Sequence, residues 1–280
     1  MASPSAANLA PSVGSPTRSA TKSSYGSPTV AMRPSLNSVL ALALVGLALV
    51  VAPSQASGAP TQAEAAQTVV LLHGLARSAR SMRRMASSLE SSGYTVCNID
   101  YPSTDHAIEV LAAEHVLPEI ETCAADAEQV HFVTHSMGGI IVRYLATLDA
   151  APAIGRVVML GPPNSGSEVV DRIGDWAAFN ALNGPAGQQL GTDAESLPNQ
   201  LGPASFEVGV IAGRRSINWI NSSMIEGRDD GKVSVKSAQL EGMADFLILP
   251  VTHPMMMRSR RVIRETQHFL QHGKFGAKAE

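Results

Sequence analysis

The sequence has 280 residues, of which 45% are hydrophobic and 16% are charged, and its formal net charge is −3. These values are typical of one globular domain with a large core. Residues 58–280 hold 18 basic and 24 acidic residues, so this mildly acidic body gives no electrostatic reason to expect a nucleic-acid partner.

The first 57 residues predict a leader rather than a part of the fold. Residues 1–31 are rich in Ser, Ala, Pro and Thr and are expected to be disordered. Met32 and Arg33 precede an apolar run over 39–52, which is short for a membrane span, and small residues follow at 54–56. This pattern predicts a signal peptide with Met32 as the true start, and therefore a periplasmic or secreted protein. An uncleaved N-terminal anchor, with membrane association through the apolar segment, is the alternative.

From Thr68 onward, predicted strands and helices alternate along the chain. Apolar, often β-branched runs predict strands at 68–72, 94–99, 130–134, 156–160, 206–212 and 246–249. Apolar residues at helical spacing predict helices over 78–92, 107–122, from 140 onward and over 260–271. Pro118 is expected to kink or break the second helix. The alternation predicts one α/β domain over 58–280, with a mainly parallel sheet flanked by helices.

A glycine-containing loop follows the first predicted strand, with the sequence Leu72-His73-Gly74-Leu75. In acyl transfer, two N–H groups stabilise the developing oxyanion. One is expected to come from such a loop, here from Leu75 or Ala76, and Gly74 would let the backbone turn inward. His73 is expected to orient this loop rather than to take part in catalysis.

The two cysteines, Cys97 and Cys123, lie in a predicted strand and near the end of the following helix. In an exported protein they could form a disulfide. Neighbouring elements allow the bridge, but the sequence cannot give the distance between them. A disulfide and two separate buried thiols both stay open. No cysteine spacing suggests a metal site.

The central motif is Thr134-His135-Ser136-Met137-Gly138-Gly139, between a predicted strand and a predicted helix. A serine on a sharp strand-to-helix turn, with a glycine two residues later, is typical of a nucleophile elbow. The helix N-terminus behind it favours developing negative charge, and the N–H of Met137 is the second predicted oxyanion donor. Thr134 replaces the first glycine of the usual pattern and leaves the turn less room. The alternative is an ordinary helix start that Ser136 caps.

The stretch over 165–205 breaks the regular alternation. It is long, rich in Gly, Pro and Asn, and contains a short amphipathic segment that includes Trp176 and Phe179. Loops this long inside a domain are usually functional or disordered. We expect a cap or lid over an apolar pocket, and a surface excursion with a minor core is the alternative.

A serine nucleophile needs a base and an acid, in the chain order Ser, acid, His. The candidate acids are Asp229, Asp230 and Asp245. Asp230 heads the segment Asp230-Gly231-Lys232-Val233, a tight glycine turn that is well placed to hold an imidazole ring. Asp229 is the chief rival, and a turn with both acids solvated is the alternative.

The candidate bases are His253, His268 and His272. His253 directly follows the apolar run that ends at Val251, so it is expected just past the carboxyl end of a strand, where the sites of α/β folds gather. His268 and His272 are expected on the solvated face of the last helix. Their spacing would suit a metal, but no third ligand is evident.

From Val69 to about Phe275, the chain resembles the lipase-like branch of the α/β-hydrolase superfamily. The motifs that carry the resemblance are 71–75, 134–139, the run Leu160-Gly161-Pro162-Pro163-Asn164-Ser165-Gly166-Ser167, and 230–233. The resemblance implies that Asp230, rather than Asp229, orients the base. It also implies that the chain leaves the sheet for its cap in the run after Leu160.

The implied activity is hydrolysis of carboxylic esters through an acyl-enzyme on Ser136, with His253 as base and Asp230 as acid. The expected substrate is a small-molecule or lipid ester, and no cofactor or metal is expected. The same triad could transfer an acyl group to another acceptor, as in an acyltransferase, or act as an amidase. A non-catalytic module that binds a lipid or a partner is a further alternative. A membrane-anchored scaffold is another, and only the N-terminal leader supports it.

Overall fold

In the computed structural model, which describes residues 67–277, six parallel strands form one sheet in the order β2-β1-β3-β4-β5-β6. The strands are Thr68–Leu72 (β1), Thr95–Ile99 (β2), Val130–His135 (β3), Ile154–Leu160 (β4), Val208–Gly213 (β5) and Asp245–Leu249 (β6). The predicted α/β fold and its six strands are confirmed, with shifts of one or two residues at the ends. The predictions for residues 1–57 lie outside the described residues.

Strands β1, β3 and β5 are buried at every position, because helices cover both sides of the sheet. In β1, Val69 and Leu71 pack into one hydrophobic cluster, while Val70 and Leu72 pack into another. Successive side chains of a strand point to opposite faces, so a run that is apolar at every position marks a strand with two buried sides. This is why the uninterrupted apolar runs of the sequence predicted the sheet well.

The helices lie between the strands and after the last one. They are Arg83–Glu90 (α1), Ile108–Val110 (α2), Leu117–Cys123 (α3), Gly138–Leu145 (α4), Glu168–Ile173 (α5), Ala177–Gln188 (α6), Leu197–Gln200 (α7), Trp219–Ser222 (α8) and Arg260–His272 (α9). Short 3₁₀ helices span Ala79–Met82 and His253–Arg258. No helix within residues 67–277 has the length and apolar character needed to cross a bilayer.

Pro118 was expected to kink or break its helix, and the structure shows no break there. The chain is helical from Ile108 to Cys123, and a π-helical stretch over Leu111–Val116 joins α2 to α3. Pro118 lies inside this continuous helical run, directly after the residue that follows the π-helical stretch, and it supplies no N–H for a helix hydrogen bond. The local irregularity is therefore the wider π turn before the proline rather than a break at it.

The β4–β5 segment (residues 161–207) contains α5, α6 and α7, and a buried arginine of α4 holds it at two places. The Arg143 side chain is 5% exposed and donates hydrogen bonds to the backbone carbonyls of Asn164, Pro198 and Gly202. Burial lowers the pKa of Arg143 to about 10, so the guanidinium stays charged at neutral pH. One side chain thus ties both ends of the segment to the helix that follows Ser136.

Cys97 of β2 and Cys123 at the end of α3 form a disulfide, with their Cα atoms 6.1 Å apart. The sequence left open a disulfide or two separate buried thiols, and the structure contains the disulfide. It ties the edge strand of the sheet to the helix that follows it in the chain.

Removing this disulfide is expected to destabilise the fold. A Cys97→Ser/Cys123→Ser double variant frees a loop of 26 residues, and the chain-entropy model puts the loss in the free energy of unfolding at about 3 kcal/mol. Urea denaturation followed by circular dichroism measures this loss, and reduced wild type serves as the control. Equal stability of the oxidised wild type and the variant would contradict the prediction.

Candidate active site

Ser136 lies on the turn between β3 and α4, at a backbone conformation that side chains rarely adopt. Its φ is +53°, in the left-handed region where non-glycine residues are strained. Its N–H donates to the carbonyl of Leu160 in the neighbouring strand β4 at 2.9 Å. The strained turn lifts the side chain out of the sheet, as a nucleophile elbow requires.

Glycines make room for this turn. A Cβ atom on Gly138 would lie 2.7 Å from the backbone oxygen of Leu72, and one on Gly74 would lie 3.0 Å from the Cβ of Ser136. The first separation is shorter than real Cβ contacts and the second is tighter than nearly all of them, so larger residues at either position would push the turn and the β1 loop apart. Thr134 is fully buried and its Oγ1 would lie 3.4 Å from a Cβ on Gly139. Thr134, which replaces the first glycine of the usual pattern, therefore fits because Gly139 has no side chain beside it.

His253 bridges Ser136 and Asp230. It is the first residue of the 3₁₀ helix after β6, and its Nε2 lies 3.0 Å from Ser136 Oγ, while its Nδ1 lies 2.8 Å from Asp230 Oδ2. Since an ionised carboxylate only accepts, Nδ1 carries the proton and donates it to Asp230. Nε2 is then free to accept the proton of Ser136. The three sequence-predicted residues are within hydrogen-bond distance in this order.

The two neighbouring acids have different surroundings. Asp230 is 1% exposed, and its Oδ1 accepts hydrogen bonds from the N–H groups of Lys232 and Val233, which leaves Oδ2 for His253. Asp229 instead accepts from Ser222 Oγ and from the N–H of Gly231. The side chain of Asp230, and not that of Asp229, faces the imidazole.

The remaining candidate acid and bases lie elsewhere. Asp245 accepts from the N–H groups of Phe246 and Phe275, so it joins the start of β6 to the chain after α9. His268 donates to the carbonyl of Lys274 and packs against His272 on α9. Among residues 67–277 no cluster of three or more potential metal ligands occurs.

Two residues next to the triad were not singled out by the sequence patterns. His135 is almost fully buried, its Nε2 donates to the backbone carbonyl of His253 at 3.0 Å, and the two rings lie 4.7 Å apart. Gly161 has a φ of +57°, and a Cβ there would lie 2.9 Å from Asp230 Oδ2. His135 thus supports the loop that carries the base, and Gly161 leaves room for the acid. Their positions beside Ser136 and after β4 were the only sequence signals.

Three buried histidines predict how stability depends on pH. Burial lowers the pKa of His73 and His131, and lowers that of His135 well below its usual range. Below about pH 6.5 the unfolded chain binds protons that the folded chain does not. The free energy of unfolding is therefore highest above this pH and falls as pH falls, by at most about 1.4 kcal/mol per pH unit for each histidine.

Urea unfolding at pH 7.5, 6.5 and 5.5 measures this dependence. His131→Gln removes one of the three groups and is expected to show a shallower loss. A free energy of unfolding that stays level or rises over this range would contradict the prediction.

A cavity of about 100 Å³ lies in front of Ser136. Its apolar wall comes mainly from the β4–β5 segment, through Pro163, Val169, Val170, Phe179 and Leu190. Trp176, which the sequence placed with Phe179 in an apolar cap, has a side chain that is 61% exposed. Phe179 therefore lines the cavity, whereas Trp176 faces solvent at the start of α6.

The two predicted oxyanion donors are close to the nucleophile. Leu75 lines the same cavity as Ser136, and Ala76 after it has a φ of +52°, which makes a sharp bend. Met137 directly precedes α4, and the first N–H groups of a helix have no partner within the helix. Leu75 thus lies beside the cavity that contains Ser136, and Met137 follows the nucleophile at the N-terminus of α4.

Comparisons with known proteins agree with this architecture. A family model described as "Alpha/beta hydrolase family" matches residues 69–261. The mature lipase BlEst2 of Bacillus licheniformis has a similar structure, with a TM-score of 0.58 and 22% identity over 75% of this chain and 93% of that chain. Phospholipase PlaB of Legionella pneumophila gives a TM-score of 0.57 and 19% identity over 76% of this chain and 60% of that chain. No curated protein matches the sequence.

Proposed function

Since the chain belongs to the alpha/beta hydrolase family, we propose that it is a serine hydrolase that cleaves carboxylic esters through an acyl-enzyme on Ser136. The observation that carries the proposal is the hydrogen-bonded series from Ser136 Oγ to His253 and on to Asp230. Binding alone does not require a nucleophile, a base and a buried acid that are hydrogen-bonded in this order.

The proposed reaction has two steps. His253 takes the proton of Ser136 while Oγ attacks the ester carbonyl, and the N–H groups of Leu75 and Met137 stabilise the oxyanion. His253 then gives its proton to the leaving alcohol, and Asp230 stabilises the transient imidazolium. Water, deprotonated by the same His253, attacks the acyl-enzyme and releases the carboxylic acid.

The apolar wall of the cavity supports an acyl group as the part of the substrate that it binds. In this proposal residues 165–205 act as the cap, because most of that wall comes from them. A cavity of about 100 Å³ favours acyl chains of a few carbons over long ones.

Hydrolysis of 4-nitrophenyl esters from acetate to palmitate tests the proposal. Turnover is expected to be highest for short acyl chains, and a fluorophosphonate probe is expected to label Ser136. Absence of both turnover and labelling would leave a non-catalytic module as the better explanation. Release of free acid in the presence of an added alcohol or amine separates a hydrolase from an acyltransferase.

We further propose that the protein works in an oxidising compartment outside the cytoplasm. The disulfide between Cys97 and Cys123 supports this, because such bridges persist where thiols are not kept reduced. Thiol labelling of the protein taken directly from its cells tests it. Two labelled cysteines without prior reduction would contradict an oxidising location.

A further inference from the structure

Two basic side chains, Arg77 and Lys232, line the cavity that contains Ser136, and no carboxylate lines it with them. Neither of them forms an ion pair with an acid of residues 67–277. Asp230, two residues before Lys232, is already occupied by His253 and by backbone N–H groups. The cavity therefore combines an apolar wall with two positive charges that form no ion pair with the described residues.

The structure holds both residues next to the reaction centre. The N–H of Lys232 donates to Asp230 Oδ1, and its carbonyl accepts from Ser167 Oγ of the β4–β5 segment. Arg77 directly follows the bend at Ala76 and lies two residues beyond Leu75. The same two turns that carry the acid and an oxyanion donor thus also carry the two charges.

The two charges are close enough to influence each other. Partial desolvation lowers the pKa of Lys232, the charge of Arg77 lowers it further, and the charge of Asp230 opposes both effects. Two like charges beside one cavity repel each other, and an anion bound between them offsets this repulsion. A guanidinium binds a carboxylate or phosphate with two parallel hydrogen bonds, and an ammonium adds a point charge.

We propose that the site takes esters whose acyl part is apolar and whose alcohol part carries an anionic group held by Arg77 and Lys232. The inference rests on the proposed ester hydrolysis and names its substrate class. The acyl chain occupies the apolar wall, the scissile carbonyl lies at Ser136, and the anion on the leaving alcohol lies between the two basic side chains.

A matched pair of chromogenic esters tests the proposal. 2-Nitrophenyl butyrate is neutral, whereas 3-butyryloxy-4-nitrobenzoate has the same acyl group and the same ortho-nitro leaving group with an added carboxylate. The ratio of kcat/KM for the anionic ester to that for the neutral ester is the quantity measured. In the wild type this ratio is expected to exceed about 10, since one charge-assisted hydrogen bond is typically worth tenfold or more.

Charge removal then assigns the preference to the two residues. Arg77→Gln and Lys232→Gln are each expected to lower the ratio about tenfold, mainly through KM of the anionic ester. Lys236→Gln removes an exposed lysine four residues further along, outside the cavity lining, and is expected to leave the ratio unchanged. Raising the salt concentration is expected to lower the ratio in the wild type but not in a variant that combines Arg77→Gln with Lys232→Gln.

A second pair separates a phosphate from a carboxylate as the anion. 1-Butyrylglycerol 3-phosphate and 1-butyrylglycerol differ only in the phosphate, and released butyrate is measured for both. A larger ratio for this pair than for the nitrobenzoate pair assigns a phosphate to the site, and the reverse assigns a carboxylate.

The outcomes distinguish this inference from the proposed function. If the wild type cleaves none of the four esters, the ester hydrolase itself is rejected. If it cleaves the neutral esters without preferring an anionic one, or if Arg77→Gln and Lys232→Gln leave the ratio at the wild-type value, only the anionic substrate class is rejected.

Discussion

Ser136→Ala is expected to lower kcat for ester hydrolysis by roughly 10⁴- to 10⁶-fold, as loss of a triad nucleophile does elsewhere. The variant lacks the only atom within hydrogen-bond distance of His253 Nε2 among residues 67–277, so no acyl-enzyme can form. Residual turnover would come from the oxyanion donors and the bound geometry alone. The N–H of Ser136 donates to Leu160 and its carbonyl accepts from Gly139. Alanine keeps both main-chain hydrogen bonds, and the fold is therefore expected to persist.

The measurement compares kcat for 4-nitrophenyl butyrate with the melting temperature of each variant. Ser165→Ala is a matched control, because Ser165 is an exposed serine in the β4–β5 segment and it is its backbone N–H that donates to the carbonyl of Ser237. It is expected to keep wild-type turnover. Wild-type turnover in Ser136→Ala, at an unchanged melting temperature, would reject Ser136 as the nucleophile.

Asp230→Asn is expected to lower kcat by roughly 10⁴-fold without unfolding the protein. The asparagine Oδ1 can still accept from the N–H groups of Lys232 and Val233, as Asp230 Oδ1 does. Its amide then presents N–H groups to Nδ1 of His253. The imidazole is forced into the tautomer that carries its proton on Nε2, which cannot accept the proton of Ser136.

Asp229→Asn is the matched comparison for this experiment. An asparagine oxygen can keep both hydrogen bonds that Asp229 accepts, from Ser222 Oγ and the Gly231 N–H. Turnover is expected to stay within about tenfold of wild type, with any change arising from the stability of the turn. A greater loss in Asp229→Asn than in Asp230→Asn would reverse the assignment of the acid.

The pH dependence of kcat gives an independent readout of the same pair. In wild type, His253 takes the proton of Ser136, so hydroxide is not needed as the base. In Asp230→Asn the residual activity is expected to rise with pH, because hydroxide can replace the lost base. A structural defect alone would lower activity equally at every pH.

Most of the fold was predictable from the sequence because its signals are local. Strands buried on both faces favour apolar runs, as from Val69 to Leu72 in β1 and from Val157 to Leu160 in β4. The nucleophile elbow needs a serine with small neighbours between a strand and a helix, and both requirements fall within residues 134–139. The chain order of serine, acid and histidine then restricted the candidates for the triad.

The remaining features depend on distances between residues far apart in the chain, which no local pattern contains. The disulfide pairs residues 26 positions apart, and His135 reaches the carbonyl of His253 across 118 positions. Trp176 and Phe179 have the same apolar character, yet only Phe179 lines the cavity. The pairing of Arg77 with Lys232 likewise requires the β1 loop and the Asp230 turn to meet.

The choice between Asp229 and Asp230 shows most clearly which features are local in the sequence and which depend on tertiary contacts. The sequence by itself placed a candidate acid in this glycine turn, since the turn type and the chain order are local properties, and the family resemblance favoured Asp230. Only the tertiary structure shows which of the two carboxylates faces His253. Adjacent side chains in a turn point in different directions, and the contacts of the turn with Ser167 of the β4–β5 segment and with Gly213 of β5 select one of them.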